Sequence, residues 1–234
     1  MWFHAIWQVV SEKNGASAMA VKQTLGLRSY ATAWTWFHKL RRAMVRAGRD
    51  RLQGLVEVDE TYVGGLESGV HGRKIGNKAL IAIAAEVRAG RIGRIRLSCL
   101  SAASRTQLHR FLRDSVESGS TIHTDGFPAY RHMEQWGFEH QVSNLIATGD
   151  KEAATDQLPH VHRVASLLKR WLLGTHQGAT KNRHLPYYLD EFTFRFNRRT
   201  SRSRGKLFWR LLQQAVEIEP THYREIVGGT DHKM

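Results

Sequence analysis

Residues 1–50 carry apolar side chains at the spacing of helices. A first stripe begins at Trp2, and Ser17 is a suitable N-cap for a second, short helix that stops at Gly26. Ser29 precedes a third and longer helical pattern. Its apolar stripe consists of Ala33, Trp36, Phe37, Leu40, Met44 and Val45. Two helices joined by a short glycine-containing turn are typical of a helix-turn-helix, and also of a small helical packing unit.

The pattern changes after residue 51 to the β-branched and apolar composition of strands. The predicted strands are LQGLVEVDETYV at 52–63, KALIAIAAEVR at 78–88 and GRIGRIRLSCLS at 90–101. They are followed by a helix over 104–119, a strand over 121–126, a helix over PAYRHMEQWG at 128–137 and a strand over 138–144. This order predicts an α/β fold in which helices flank a mixed sheet.

The C-terminal third of the chain is predicted to be helical after a polar loop over 144–160. Helices are expected over 160–174, 183–199 and 206–216. The first has a buried stripe made of Val161, Val164, Ala165, Leu168 and Leu172. We expect three ranges: a helix-turn-helix-like DNA-binding segment over 1–50, a catalytic domain over 51–217 and a C-terminal tail over 218–234.

Charge sharpens this division. The chain of 234 residues has a formal net charge of +14, which favours a polyanionic partner such as nucleic acid. The net charges are +6 for 1–50, 0 for 51–162, +10 for 163–210 and −2 for 211–234. Basic residues clustered in this way indicate a surface that meets phosphates rather than a general solubilising charge.

Composition excludes several classes of protein. A single cysteine, Cys99, excludes a disulfide scaffold and a zinc site built on paired thiolates. Histidines are frequent between His123 and His184, but they form no HExxH pattern. The glycine-rich loop over 69–77 lacks the GxxxxGK[ST] pattern of a phosphate-binding loop. The N-terminus is too short and mixed for a signal peptide, so we expect a soluble cytoplasmic protein.

Two aspartates are the candidate chemistry of the neutral middle. Asp59 lies near the end of the first strand, and Asp125 ends a later strand just before Gly126. Two carboxylates from separate strands repel each other unless a divalent cation such as Mg²⁺ lies between them. Such ions promote phosphodiester transfer. The alternative is that Asp59 is an ordinary strand-end residue and that Asp125 belongs to a turn.

Five segments in order identify a resemblance that covers nearly the whole chain. They are SAMAVKQTLGLRSYATAWTWFHKLRRAM, VEVDETYVGG, IHTDGFPAY, SLLKRWLLGTHQGA and HLPYYLDEFTFRFNRR. Together they closely resemble the insertion-sequence transposases that carry an ISXO2-like domain. The resemblance implies a ribonuclease-H-like catalytic domain of the DDE type, preceded by a helix-turn-helix. It also implies cutting and joining of DNA with Mg or Mn at insertion-sequence ends.

The resemblance further implies partners and location. The partners are double-stranded DNA, both transposon ends and target, and further copies of the chain in a synaptic complex, with association with the nucleoid. Family members usually carry a cysteine-rich zinc ribbon ahead of the helix-turn-helix. With one cysteine in the sequence, we expect this chain to lack that ribbon.

The family's acidic triad maps onto three positions. Its first two aspartates fall on Asp59 and Asp125, and its third position falls on His162, seven residues before Lys169. Many related transposases have an acidic residue where this chain has His162. Neutral imidazole is a poor ligand for Mg²⁺ and an acceptable one for Mn²⁺, and it can also orient water or carry a proton. The alternative is that His162 is a surface residue in a decayed copy.

Several further residues complete the expectation. Glu152 and Asp156 are weaker candidates for a substitute carboxylate. The candidate DNA contacts are Lys169, Arg170, Arg195, Arg198, Arg199, Arg41 and Arg42. Aromatic residues between the arginines of 183–199 are expected to pack inside a helix, while the arginines follow the DNA backbone. The sequence therefore predicts a DNA transposase, or alternatively a truncated and catalytically decayed copy that only binds DNA.

Overall fold

The computed structural model describes residues 1–46, 48–64, 78–143, 157–176 and 182–228. The predicted glycine-rich loop over 69–77 lies outside these residues. The candidate carboxylates Glu152 and Asp156 also lie outside them.

Five strands between residues 55 and 142 form a mixed sheet. Its strands are β1 Leu55–Val63, β2 Ala79–Arg88, β3 Arg91–Leu100, β4 Thr121–Thr124 and β5 Glu139–Val142. They lie in the order β3-β2-β1-β4-β5. The pairs β1–β2 and β2–β3 are antiparallel, whereas β1–β4 and β4–β5 are parallel. The predicted α/β class, a mixed sheet with flanking helices, is confirmed.

Local sequence explains the hairpin between β2 and β3. Ala89 and Gly90 both have positive φ angles, of 47° and 70°. Two residues of this kind form the tight turn whose twist matches that of the flanking strands. Strand β2 is buried at every position from Leu80 to Glu86, which is typical of a strand that has a neighbour on each side and is covered on both faces of the sheet.

Eight α-helices lie in the described part of the chain. They are α1 Trp2–Ser11, α2 Ala18–Thr24, α3 Tyr30–Ala43, α4 Arg105–Ser115, α5 Pro159–His176, α6 Leu185–Phe196, α7 Arg204–Glu217 and α8 Tyr223–Gly228. The predicted N-caps are present: Ser17 accepts from the amide of Ala20, and Ser29 accepts from that of Ala31. The expected pair of helices with a short turn is therefore formed, and its binding to DNA stays a prediction.

Two elements differ from expectation. The segment 128–137 forms two 3-10 helices, Pro128–Tyr130 and Met133–Trp136, instead of one α-helix. His132 between them has a left-handed φ of 67°, which interrupts helical hydrogen bonding. The expected tail over 218–234 contains α8, whose Ile226 is buried.

The chain forms two compact units. One comprises Met1–Arg49 with Trp171–Met234, and the other comprises Asp50–Arg170. These units differ from the expected ranges, because helices after residue 170 complete the N-terminal core. That core includes Phe37 and Leu40 of α3, Phe194 of α6, and Leu207 and Leu211 of α7. The second unit has its own core between the sheet and α4.

No helix in the described residues is long and apolar enough to cross a membrane.

Candidate active site

Strand β1 carries the first candidate carboxylate on one face. Because side chains alternate along a strand, Glu57, Asp59 and Thr61 share a face, and Glu60 points to the other. Strand β4 pairs in parallel with the start of β1, with Glu57 opposite His123. Asp125 follows directly after the end of β4, two residues beyond His123, and Asp59 lies two residues beyond Glu57 on β1.

Asp125 sits in a tight turn. Its Oδ1 accepts a hydrogen bond of 2.9 Å from the backbone N–H of Phe127. The intervening Gly126 has a φ of 82°, a conformation that favours glycine. This is the aspartate turn of the alternative interpretation, and it leaves Asp125 half-buried beside the strand that carries Asp59. Asp125 therefore belongs to a turn and also lies at the end of a strand, so the two interpretations do not exclude each other.

Helix α5 brings His162 to Asp59. The Nε2 atom of His162 lies 3.4 Å from Oδ2 of Asp59. Their side chains are 34% and 25% exposed, so the pair is partly open to solvent. The residue at the family's third position is thus adjacent to the first aspartate, as the resemblance implies. Its role in catalysis stays a prediction.

The start of α5 is bonded to β1 through a buried carboxylate. Glu57 Oε2 accepts the backbone N–H groups of His160 and Val161, at 2.8 and 2.9 Å. Glu57 Oε1 lies 2.6 Å from Nδ1 of His160. Burial alone would lower the pKa of His160, but the hydrogen bond to Glu57, the hydrogen bond to the carbonyl of Gly90 and the negative charge of Glu57 together outweigh it and raise that pKa.

Tyr130 contacts the opposite face of β1, and its pKa is affected by the charges of both Asp59 and Asp125. Tyr130 is fully buried, and its O–H donates to Oε1 of Glu60. Burial raises the pKa of Tyr130 well above its ordinary value, and the negative charges of Glu60, Asp59 and Asp125 raise it further. The hydrogen bond joins β1 to the turn that follows Asp125. The sequence offered no sign of it beyond a tyrosine five residues after Asp125.

The donor types at this site suit a divalent cation. Carboxylates suit Mg²⁺ and Mn²⁺, and the His162 imidazole suits Mn²⁺. Within the described ranges, however, no group of three His, Cys, Asp or Glu residues is arranged to hold a metal ion. The side chains are therefore of the types that bind a divalent cation, but the structure brings only two of them, His162 and Asp59, close together within the described residues.

Two of the predicted DNA contacts are held by groups of the protein itself: Arg41 is buried, which corrects the expectation for it, and Arg195 is half-buried. Arg41 Nε bonds Glu191 Oε2 at 2.8 Å, and both side chains are only 3% exposed. Arg195 donates to the backbone oxygens of Val9 and Glu12. The spacing of α3 placed Arg41 on the polar side, but a buried acidic partner on α6 holds it in the core.

The other predicted DNA contacts remain near the surface. Lys169, Arg170 and Arg42 are exposed. The guanidinium groups of Arg198 and Arg199 lie 4.1 and 4.2 Å from the ring centres of Phe194 and Phe196. The aromatic rings of α6 therefore pack within the helical unit, as expected.

Comparison with known proteins identifies the family. A sequence profile described as the ISXO2-like transposase domain matches residues 51–197. The chain belongs to the ISXO2-like transposase family. It is also 28% identical over 220 residues to an uncharacterized protein in transposable element ISH50 of Halobacterium salinarum, covering 88% of this chain and 71% of that one.

Solved structures resemble this family member more distantly. The simian T-cell lymphotropic virus intasome in complex with PP2A regulatory subunit B56 gamma has a TM-score of 0.45 at 14% identity, covering 82% of this chain and 74% of that chain. The HTLV-2 integrase catalytic core domain in complex with magnesium, in its trimeric form, has a TM-score of 0.38 at 13% identity, covering 68% and 97%. The Mos1 transposase paired-end complex with left transposon end has a TM-score of 0.35 at 11% identity, covering 92% and 78%.

Proposed function

We propose that this ISXO2-like transposase catalyses metal-dependent DNA strand cleavage and strand transfer at insertion-sequence ends. The observation that carries the proposal is the 3.4 Å approach of His162 to Asp59 in a chain of this family. The turn of Asp125, at the end of the neighbouring parallel strand, supports it. The substrates would be double-stranded DNA ends and target DNA, bound by several copies of the chain near the nucleoid.

Each residue would have a separate task. Asp59 and Asp125 would hold a divalent cation, which when bound supplies activation of water or a 3′-hydroxyl and stabilisation of the leaving oxygen. His162 would complete the site and orient or hold a proton at Nε2. Lys169 lies seven residues further along the same helix as His162, so the two share a face of α5. Its exposed ammonium group would contact a DNA phosphate.

The test is cleavage of end DNA by the full chain with Mg²⁺ or Mn²⁺. Asp59→Asn and Asp125→Asn should each lower the rate by about 10²-fold or more, because each removes a carboxylate that would hold the cation, and the cation stabilises the negative charge of the transition state. His162→Glu should retain cleavage and shift the preference towards Mg²⁺, whereas His162→Ala should lower the cleavage rate by about 10²-fold, to a residual rate that can still be measured. Full activity of both aspartate variants would show that the assignment is wrong.

His162 itself supports the second candidate, a decayed copy that binds ends without cutting them. An imidazole occupies the position where many relatives have an acidic residue. This candidate predicts salt-dependent binding of end DNA, with no cleavage stimulated by either metal. Cleavage by the wild-type chain with Mn²⁺ would eliminate it.

A further inference from the structure

We propose that Glu57 is a positioning residue that holds the first turn of α5 on β1, so that His162 reaches Asp59. The inference rests on the proposed function for its effect on activity. Its structural part concerns only the geometry of the described residues. The bonds of Glu57 go to His160 and Val161 at the start of α5, so we expect its effect on activity to pass through His162.

The contacts of Glu57 fix where the helix begins. The first N–H groups of a helix have no partner within the helix, and Glu57 Oε2 accepts two of them, from His160 and Val161. A carboxylate at this end also interacts favourably with the helix dipole. The side chain is only 3% exposed, so water does not compete for these bonds.

A second contact fixes the rotation of the helix. The His160 ring lies 2.6 Å from Glu57 Oε1 through Nδ1, and 3.2 Å from the carbonyl oxygen of Gly90 through Nε2. The ring thus connects the first turn of α5 to both β1 and the β2–β3 hairpin. Three bonds from one carboxylate and one from a hairpin leave little freedom for sliding or turning.

Small movements would separate His162 from Asp59. A slip of one residue along a helix moves it by about 1.5 Å and rotates it by about 100°, which would carry the His162 ring off the face of β1. Glu57 and Asp59 are two residues apart on the same strand face, so the anchor lies directly beside the site. The position of His162 relative to Asp59 therefore depends on the bonds by which Glu57 holds the start of α5.

A spectroscopic experiment tests the geometry without relying on activity. The ¹⁵N shifts of the His162 ring are measured in the full chain for the wild type, Glu57→Ala and Glu57→Asp. Asp keeps the charge but withdraws the carboxylate by about 1.5 Å, roughly one bond length, and should fold even if Ala does not. Both variants should move the His162 shifts towards those of Asp59→Asn. Unchanged shifts in the folded variants would overturn the proposal.

Glu86→Gln is the matched control. Glu86 is also a fully buried β-strand carboxylate, but its partners are the backbone N–H groups of Gln53 and Arg94 and the side chains of Arg88 and Arg94. It should lose stability while leaving the His162 shifts in place. If Glu86→Gln moves those shifts as far as Glu57→Ala does, the effect is general loosening and the proposal fails.

A double-mutant cycle tests the consequence for cleavage of end DNA. Glu57→Ala should lower the rate by about 10- to 100-fold in the wild-type background, as substitutions behind a site residue commonly do. In the His162→Ala background it should cost no more than about twofold, because residues that act through one another are not additive. Equal losses in both backgrounds would mean a purely structural role.

The two proposals fail in different ways. A wild type that does not cleave, with His162 shifts that still respond to Glu57, would reject the proposed function and keep the positioning role. A wild type that cleaves, with shifts that ignore Glu57, would reject the positioning role alone.

Discussion

At the scale of single residues, three acidic side chains of β1 lie in three environments. Glu57 is buried against helix α5, Asp59 faces His162, and Glu60 accepts from Tyr130 on the other face. Strand alternation predicts the division of faces. It does not predict their partners, since those come from segments about 70 and 100 residues further along the chain.

Tyr130→Phe tests the hydrogen bond on the far face of β1. The change removes only the buried O–H that donates to Glu60, so the carboxylate loses one partner without a change of shape. We expect a loss of about 1–3 kcal/mol in the free energy of unfolding. Urea denaturation measures it, with the exposed Tyr30→Phe as a control that should change by less than about 0.5 kcal/mol. Equal effects of the two substitutions would show that the bond contributes nothing.

The site could be predicted only in part for a physical reason. The predicted strand positions of Asp59 and Asp125 make them candidates, and the resemblance, whose motifs are read from side chains, adds His162. The role of Glu57 cannot be predicted from side-chain motifs, because two of its three bonds go to backbone N–H groups, which every residue except proline carries. Only the shared strand face of Glu57 and Asp59 pointed towards it.

At the scale of elements, periodicity predicted the long helices and all five strands. It was wrong for 128–137, where a left-handed His132 divides the segment into two short turns. It also missed α8, a helix of six residues, too short for an apolar stripe to repeat. Elements with several turns of regular pattern were thus predictable, and those governed by one backbone angle were not.

The pairing of α3 with α6 leads to a prediction about stability. Arg41→Met would leave Glu191 charged inside the N-terminal core, where the 3.9 Å approach of Arg195 would offset that charge in part. We expect a loss of about 3–5 kcal/mol in the free energy of unfolding. Combining it with Glu191→Leu should restore much of that loss, because apolar pairs replace buried ion pairs well. Denaturant unfolding measures both variants.

Arg28→Met is the control for this pair. Arg28 is an exposed cation in the turn between α2 and α3, and its replacement should change stability by less than about 0.5 kcal/mol. A double variant no more stable than Arg41→Met alone would contradict the interpretation that an uncompensated Glu191 charge causes the loss.

At the scale of the whole molecule, the charge of +14 is distributed between the interior and the surface. Arg41 and Arg195 are bound internally, so part of the basic excess serves the core of one compact unit. Counting charges along the sequence cannot separate these residues from those that meet solvent, because burial depends on packing between distant helices. The exposed members of α5 are the better candidates for DNA.

Lys169→Ala should weaken DNA binding almost equally for every sequence. It should also reduce the slope of log affinity against log salt by about 1, because one fewer phosphate is neutralised. Fluorescence anisotropy at several salt concentrations measures both effects. Arg113→Ala is the control, since this exposed arginine has Asp114 3.7 Å away and lies in the neutral segment. A salt slope that changes for Arg113 and not for Lys169 would place the DNA elsewhere.

Acid should destabilise the molecule through His176. Burial lowers the pKa of His176 to about 4, with the Arg41 and Arg195 charges adding to the effect and Glu191 opposing it. The folded chain therefore holds this imidazole neutral, whereas the unfolded chain binds a proton near the ordinary pKa of about 6.5. Stability from this group is complete above that value and is lost as the pH falls from about 6.5 towards 4.

The measurement compares denaturant unfolding of the wild type and His176→Gln at pH 7 and pH 5. Between these pH values the wild type should lose about 2 kcal/mol more than the variant. An identical loss in both would show that other groups cause the acid sensitivity.

The bonds between Glu57 and the amides at the start of α5 have an evolutionary consequence. They connect a strand to a helix through main-chain atoms, so they do not depend on which side chain stands at position 162. A lineage can exchange histidine for an acidic residue there by a single substitution, while the scaffold that presents it stays in place. The attachment of the helix and the chemistry of its active residue can therefore change independently.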